Sequence, residues 1–300
     1  MGRISTFLCV IVCILALIVA RSSWIQALFL VNFLFDATLN SGYTHAMSNI
    51  TVTRVSDDLP IWQVDGLVSE GEADWIREAY EPYMYSCGPR APVGCDEVQV
   101  LYLRSVHKLL GAIEERVYRL MGNWCQIRNK CELGSFMNWQ IVKYSPGGMF
   151  QRHVDGPIPL TFMAYLSDNE DGQGGSTHFP NLEVKSETEK KVMMEEREIL
   201  YEILSFSGIP KGRWPPPPEG LCVRPKKGTV LMWASCLSDG DQNWQAIHEG
   251  LPIKMGNKYI LNLFFNEIDM DVDVGRACRE FNSNFGANDI FPQLQVQHLA

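Results

Sequence analysis

Apolar and polar positions divide the chain into an apolar N-terminal segment, a helical stretch and a long region of short β segments. The N-terminal segment contains two apolar runs, Phe7–Ala20 and Trp24–Phe35, with Arg21 between them. The first run is short for a membrane span, and in a single span through both runs Arg21 would cost about 2.5–3.5 kcal/mol near mid-bilayer. We therefore predict that residues 1–35 direct the chain into the secretory pathway, either as a cleaved signal or as a type II membrane anchor.

Two helices are predicted in the stretch that follows. Ser69, with Glu72 three residues later, is typical of a capping box and predicts a helix of about three turns. Between about 105 and 121 the apolar residues recur with the 3.6-residue period of an amphipathic helix. A short strand is predicted at Ile61–Val64, and residues 36–60, which are polar and lack periodicity, are interpreted as a luminal stalk.

From residue 137 onwards the pattern changes to short apolar segments that Gly, Pro and Asp separate. Seven strands are predicted there, at 138–144, 150–154, 160–166, 176–179, 222–224, 229–234 and 258–265. Many short strands with turn signals indicate a sandwich or a barrel. Residues 183–220 interrupt the series with a charged helical segment and four consecutive prolines, which cannot join a central strand. We interpret them as an insertion on the rim of the β core.

The composition indicates a globular protein with an acidic surface. Apolar residues make up 46% of the 300 residues, which provides a substantial core and excludes a chain that is disordered throughout. Lys and Arg number 26 against 35 Asp and Glu, so the formal net charge is −9. Because an acidic surface repels phosphate backbones, we predict no nucleic-acid partner.

The cysteines and a glycosylation sequon agree with a secretory location. Cys87 and Cys95 form one close pair and Cys125 and Cys131 another, both in turn-rich segments where short disulfide loops can form. Neither spacing matches the paired C-x-x-C of a zinc ribbon. Asn49 begins an Asn-Ile-Thr sequon just beyond the apolar segment. We expect a luminal domain in the endoplasmic reticulum or secretory pathway.

The candidate chemistry lies in the β region. His153 and Asp155 are two residues apart, so on an extended segment their side chains point to the same face. A third ligand from a distant strand, for which His248 is the candidate, would complete the two-histidine, one-carboxylate set that holds Fe(II) and leaves coordination positions open. Lys258 lies in a predicted strand, and a buried ammonium there needs an anionic partner such as a dicarboxylate.

Four motifs occur in one order between residues 137 and 265. They are NWQIVKYSPGGMFQRHVD, LTFMAYLSDNEDGQGGSTHFP, VRPKKGTVLMW and DGDQNWQAIHEGLPIKMGNKYILNLFF. In these motifs the chain resembles the iron- and 2-oxoglutarate-dependent dioxygenases, and most closely the prolyl 4-hydroxylase group. The resemblance implies a mainly β fold with supporting helices, a double-stranded β-helix or jelly-roll barrel, with the metal at its mouth.

The resemblance also implies a role for each candidate residue. His153, Asp155 and His248 become the Fe(II) ligands, and Lys258 the partner of the far carboxylate of 2-oxoglutarate. The remaining contacts of the co-substrate fall on Tyr144, Thr161 and Tyr165. The implied reaction uses O2 to hydroxylate a peptidyl substrate, proline to 4-hydroxyproline, while 2-oxoglutarate yields succinate and CO2. L-ascorbate is implied as the reductant that rescues oxidised iron.

The substrate and the activity leave alternatives open. Ile158 stands where plant and algal prolyl hydroxylases carry an arginine that helps to hold the peptide, and the family's Lys-Trp pair is Lys258-Tyr259 here. One alternative is the same chemistry on another side chain or on a small molecule. Another is a non-catalytic binding module that kept the barrel. The intact ligand set and Lys258 favour a hydroxylase that acts on a proline-containing peptide or protein.

The predicted organisation has four parts. They are an N-terminal signal or anchor (1–35), a stalk (36–60), a prolyl-hydroxylase-like domain (61–268, with a core at about 137–268 and the insertion 183–220) and a tail (269–300).

Overall fold

The structure is a computed structural model that describes the C-terminal part of the chain. The chain divides into two units after Ser48, and the described residues belong to the second unit, Asn49–Ala300. The described ranges are 50–56, 58–59, 61–86, 98–103, 108–121, 136–156, 160–208, 210–211, 218–237, 241–265 and 296–298. The predicted signal or anchor, Asn49 of the sequon, both close cysteine pairs and residues 215–217 of the polyproline run lie outside them. Within these ranges, no helix is both long and apolar enough to cross a bilayer.

Three α-helices and thirteen strands make up the described part. The helices are α1 (Glu70–Tyr80), α2 (Lys108–Met121) and α3 (Glu187–Phe206). The strands are β1 (Thr51–Ser56), β2 (Ile61–Asp65), β3 (Tyr85–Ser86), β4 (Val98–Leu103), β5 (Phe136–Tyr144), β6 (Phe150–His153), β7 (Leu160–Tyr165), β8 (Thr177–Phe179), β9 (Leu221–Val223), β10 (Val230–Trp233), β11 (His248–Gly250), β12 (Lys258–Phe265) and β13 (Val296–His298). Each of the seven strands predicted beyond residue 137 is present, with ends that differ by two residues at most.

The strands form two sheets that enclose one core. The major sheet has the order β13-β1-β2-β10-β7-β12-β5-β4-β3, and the minor sheet has the order β6-β11-β8-β9. All pairings are antiparallel except that of β1 with β13. Buried side chains of both sheets, such as Met163 and Tyr165 of β7 and Phe179 of β8, meet in a single cluster. The predicted mainly β, jelly-roll fold with supporting helices is confirmed.

Two segments that were assigned to the stalk and the tail are strands of the major sheet. β1, within the predicted stalk, pairs with β2, and β13, within the predicted tail, pairs with β1. Val52 is fully buried in β1 while the flanking threonines are half-buried, so this strand buries little apolar surface. So few apolar residues produce no detectable alternation, and the partner strands decide its conformation instead.

Capping boxes begin α1 and α3, as the sequence predicts for α1. Ser69 accepts a hydrogen bond from the Glu72 amide and Ser186 accepts one from the Glu189 amide, and each glutamate accepts the N-cap amide in return. Glu72 also binds Arg116 of α2, whose Nη1 and Nη2 donate to its two oxygens at 3.0 and 2.6 Å. Glu72 therefore joins the two supporting helices as well as capping one of them.

Glu72→Ala is expected to lower the free energy of unfolding by about 3 kcal/mol, because it removes a cap and leaves the buried Arg116 guanidinium unpaired. Urea denaturation measures the loss. Glu115→Ala is the matched control, since Glu115 pairs with Arg119 on the exposed side of α2 and such a pair contributes about 0.3–0.5 kcal/mol. Equal losses in the two variants would contradict a special role for Glu72.

Candidate active site

A cavity of about 660 Å³ lies between the two sheets. Tyr144 and Lys258 reach it from the major sheet, and His153 and His248 reach it from the minor sheet. Its volume is that of a small-molecule site. The predicted metal ligands and Lys258 thus line one space, although Lys258 is more than one hundred positions from His153 in the chain.

The predicted metal ligands converge at one end of this cavity. His153 ends β6 and His248 begins β11, and the pairing of the two strands sets them directly opposite each other. The Oδ1 atom of Asp155 lies 3.6 Å from Nε2 of His153 and 3.8 Å from Nε2 of His248. One potential ligand atom from each residue lies within 4.8 Å of the others, so the three can hold a metal ion together.

Hydrogen bonds on the outer side of the cluster orient its ligand atoms. Nδ1 of His153 lies 2.7 Å from the Gln151 carbonyl and Nδ1 of His248 lies 3.0 Å from the Ala246 carbonyl. A carbonyl oxygen only accepts, so each Nδ1 carries the proton and donates, which leaves the Nε2 lone pair facing the cluster. Two imidazole nitrogens and one carboxylate oxygen form the donor set of a non-haem Fe(II) site, so these residues fit that ion.

The ionisation of the cluster depends on burial and on mutual contacts. Burial opposes ionisation of Asp155, but the neighbouring histidines and the hydrogen bond from Thr161 outweigh it and lower its pKa. Burial lowers the pKa of His248, which favours the neutral imidazole that a metal requires. Burial also acts to lower the pKa of His153, but contact with Asp155 prevails and raises it.

Lys258 is a buried cation at the start of β12. Its side chain is 1% exposed, and its Nζ lies 3.5 Å from the Thr177 hydroxyl. The ammonium faces the aromatic rings of Tyr144, 5.1 Å from the centroid, and Tyr165, at 5.7 Å. Burial lowers the pKa of Lys258 to about 7. Besides the charge of Glu196, which acts to raise this pKa, only these rings and one hydroxyl among the described residues stabilise the ammonium, so a carboxylate entering the cavity would stabilise it further.

The structure brings two of the three remaining predicted contacts to the cavity wall. Tyr144 and Thr161 line the cavity, but the Thr161 hydroxyl donates to Oδ2 of Asp155 at 2.8 Å and so orients the metal-cluster carboxylate. Tyr165 lies behind Lys258, outside the cavity lining. Its buried hydroxyl donates to the Thr177 hydroxyl at 2.9 Å and to the Val223 carbonyl at 3.2 Å, so both hydrogen bonds go to protein groups.

Two residues near Lys258 were not predicted from the sequence. Thr177 lines the cavity, and its alternation with Phe179 on β8 is the signal that could have indicated it. Glu196 is buried on α3 and interacts electrostatically with Lys258. It lies in a segment so rich in charge that the sequence pattern predicts only a solvated helix.

Comparisons with known proteins find similarity to 2-oxoglutarate-dependent oxygenases. Residues 139–266 match the family model of the 2OG-Fe(II) oxygenase superfamily. Human prolyl 4-hydroxylase subunit alpha-1 is 20% identical over 216 residues, which cover 67% of this chain and 33% of the relative. Mouse transmembrane prolyl 4-hydroxylase is 27% identical over 203 residues, which cover 57% of this chain and 36% of the relative.

Among solved structures, the viral collagen prolyl hydroxylase of Paramecium Bursaria Chlorella virus-1, in its 2OG complex, matches with a TM-score of 0.46 and 20% identity. The match covers 68% of this chain and 93% of that one. This chain spans about a third of the length of the curated relatives that it matches. The predicted resemblance to iron- and 2-oxoglutarate-dependent dioxygenases of the prolyl 4-hydroxylase group is confirmed.

Proposed function

We propose that this protein is an Fe(II)- and 2-oxoglutarate-dependent dioxygenase that hydroxylates peptidyl proline to 4-hydroxyproline. The observation that carries the proposal is the placement of His153, Asp155 and His248 in the same cavity as the buried ammonium of Lys258. A zinc hydrolase or a simple metal site would not require that cation. Fe(II) and a dicarboxylate co-substrate account for both features at once.

The proposed roles follow from the contacts of each residue. His153, Asp155 and His248 hold Fe(II), and Thr161 fixes the carboxylate through its hydrogen bond. Lys258 binds the far carboxylate of 2-oxoglutarate beside Tyr144. Bound iron and 2-oxoglutarate supply the activation of O2, with succinate and CO2 as co-products and ascorbate as the reductant that restores oxidised iron.

The cavity has room for a substrate residue beside the co-substrate. Its lining also includes Tyr85, which is 52% exposed, and the paired amides of Gln140 and Asn262. Asn262 Nδ2 donates to Oε1 of Gln140 at 3.0 Å, while its buried Oδ1 has no hydrogen-bond partner among the described residues. Oδ1 of Asn262 can therefore accept a hydrogen bond from a substrate that carries an N–H group, as a peptide does. The names of the relatives support proline as the target residue.

The test follows succinate formation by the purified protein with Fe(II), 2-oxoglutarate and ascorbate. We expect proline-containing peptides to stimulate turnover and to gain one oxygen on proline, whereas matched peptides with alanine in place of proline should not. Turnover that no peptide stimulates would favour another side chain or a small molecule. Absence of turnover in all mixtures would favour a binding module.

The proposed location is the lumen of the endoplasmic reticulum, with residues 1–35 as signal or membrane anchor. Cys236 is in a disulfide whose partner lies outside the described residues, and disulfides persist in oxidising compartments. We expect glycosidase to shift the mobility of the wild-type protein but not of Asn49→Gln, and the domain to resist protease added outside intact microsomes. Digestion of the domain in intact microsomes, with no glycosidase shift, would contradict this location.

A further inference from the structure

Glu196 is a buried acidic residue on the face of the insertion helix α3 that also buries Ile199 and Leu200. Its side chain is 4% exposed, and Oε1 accepts a hydrogen bond from the Ser176 amide at 3.0 Å. Oε2 is also buried and has no hydrogen-bond partner among the described residues. Burying a carboxyl group with only one hydrogen bond is costly. Such a group needs a compensating charge nearby.

The backbone segment 175–177 contacts both Glu196 and Lys258. The Thr177 hydroxyl, one residue after the amide that Glu196 binds, lies 3.5 Å from Nζ of Lys258. On the other side, a Cβ atom at Gly175 would lie 3.6 Å from Cδ of Lys258, so the backbone there runs along the lysine stem. Three consecutive residues therefore connect the Glu196 carboxyl with the Lys258 side chain.

The charges of the two groups are complementary. Burial lowers the pKa of Lys258 and the charge of Glu196 acts to raise it. Burial raises the pKa of Glu196, while its hydrogen bond and the charges of Lys258 and Arg224 act against that rise. The other titratable groups that interact with this pair are Tyr144, Tyr165, Cys222 and His248.

We propose that Glu196 is a positioning residue for Lys258, so that the insertion helix forms part of the co-substrate site. It holds the segment around the lysine stem through the Ser176 amide, and its negative charge favours the protonated form of Lys258. This inference rests on the proposed binding of 2-oxoglutarate at Lys258. It gives the insertion, which the sequence places on the rim, a direct part in the affinity for the co-substrate.

Removing the charge of Glu196 changes 2-oxoglutarate binding in a pH-dependent way. In Glu196→Gln the amide oxygen can still accept from Ser176, but the ammonium loses its counter-charge and more of Lys258 is neutral above pH 7. A neutral lysine must take up a proton before it can bind a carboxylate, so affinity falls at high pH. At pH 6 the wild-type lysine, with its pKa of about 7, is mostly protonated, and a lower pKa removes only part of that protonated fraction, so the affinity should change little.

The experiment measures the dissociation constant of 2-oxoglutarate by calorimetry on the full-length protein loaded with Mn(II), at pH 6.0 and pH 8.5. We expect Glu196→Gln to bind about tenfold more weakly than wild type at pH 8.5 and within about threefold of wild type at pH 6.0. Glu198→Gln, the same change on the solvent side of α3, is the matched control and should match wild type at both pH values.

Glu196→Asp keeps the charge and should remain within about threefold of wild type at pH 8.5, which tests the proposal even if the glutamine variant does not fold. An equal loss at both pH values, no loss at either, or a tenfold loss in Glu196→Asp would overturn the positioning role. Failure of the wild-type protein to bind 2-oxoglutarate at either pH would instead overturn the proposed function, and this inference with it.

Discussion

His153→Ala or His248→Ala is expected to reduce Fe(II)-dependent succinate formation by more than about 100-fold. Each change removes one of only three protein ligand atoms, and even loss of a residue that merely orients a ligand costs about 10–100-fold in metal affinity or activity. Both imidazoles face the metal cluster through Nε2, so neighbouring side chains cannot replace them without moving the strands. Measurement of bound iron after dialysis should show the same loss as turnover.

His178→Ala is the matched control for the ligand variants. His178 is fully buried in β8, but its Nδ1 lies 2.7 Å from Glu249 and its Nε2 lies 2.7 Å from the Glu219 carbonyl, so both nitrogens are hydrogen-bonded and neither belongs to the metal cluster. This variant should melt at a lower temperature and still bind iron. Wild-type turnover in His153→Ala or His248→Ala would end the dioxygenase proposal.

Lys258→Met is expected to weaken 2-oxoglutarate binding by about tenfold to a hundredfold and to leave Fe(II) binding unchanged. A charge-assisted hydrogen bond contributes about 1.5–3 kcal/mol, and each 1.4 kcal/mol is a factor of ten in binding. Methionine keeps most of the volume of the buried stem, so the loss reports the charge rather than a cavity. Titration of 2-oxoglutarate into the anaerobic Fe(II) protein, followed by charge-transfer absorbance, measures it.

Lys254→Met provides the comparison for this experiment. Lys254 lies in the turn just before β12. Its ammonium pairs with Glu202 at 2.6 Å on the surface, and it does not line the cavity. Its replacement should leave the dissociation constant of 2-oxoglutarate unaltered. An unchanged constant in Lys258→Met would show that this lysine does not bind the co-substrate.

Features that depend on neighbours in the chain could be predicted from the sequence. The capping box of Ser69 and Glu72 involves groups only three positions apart, and the strands around β7 and β12 show in the spacing of their apolar residues. The two-residue spacing of His153 and Asp155 is likewise a local property of an extended segment. These features can be predicted without knowing which parts of the chain pack against them.

Features that depend on distant partners were decided by the tertiary structure. β1 and β13 have weak patterns of their own and become strands because a sheet edge pairs with them. Tyr165 lies on the predicted strand, yet its hydroxyl faces Thr177 and Val223 because burial requires a hydrogen-bond partner there. Glu196, in a helix that the sequence describes only as charged, is buried because the insertion folds back towards Lys258. Local periodicity thus determined which segments are helices and strands, whereas the partners of buried polar groups emerged only when residues distant in the chain were packed together.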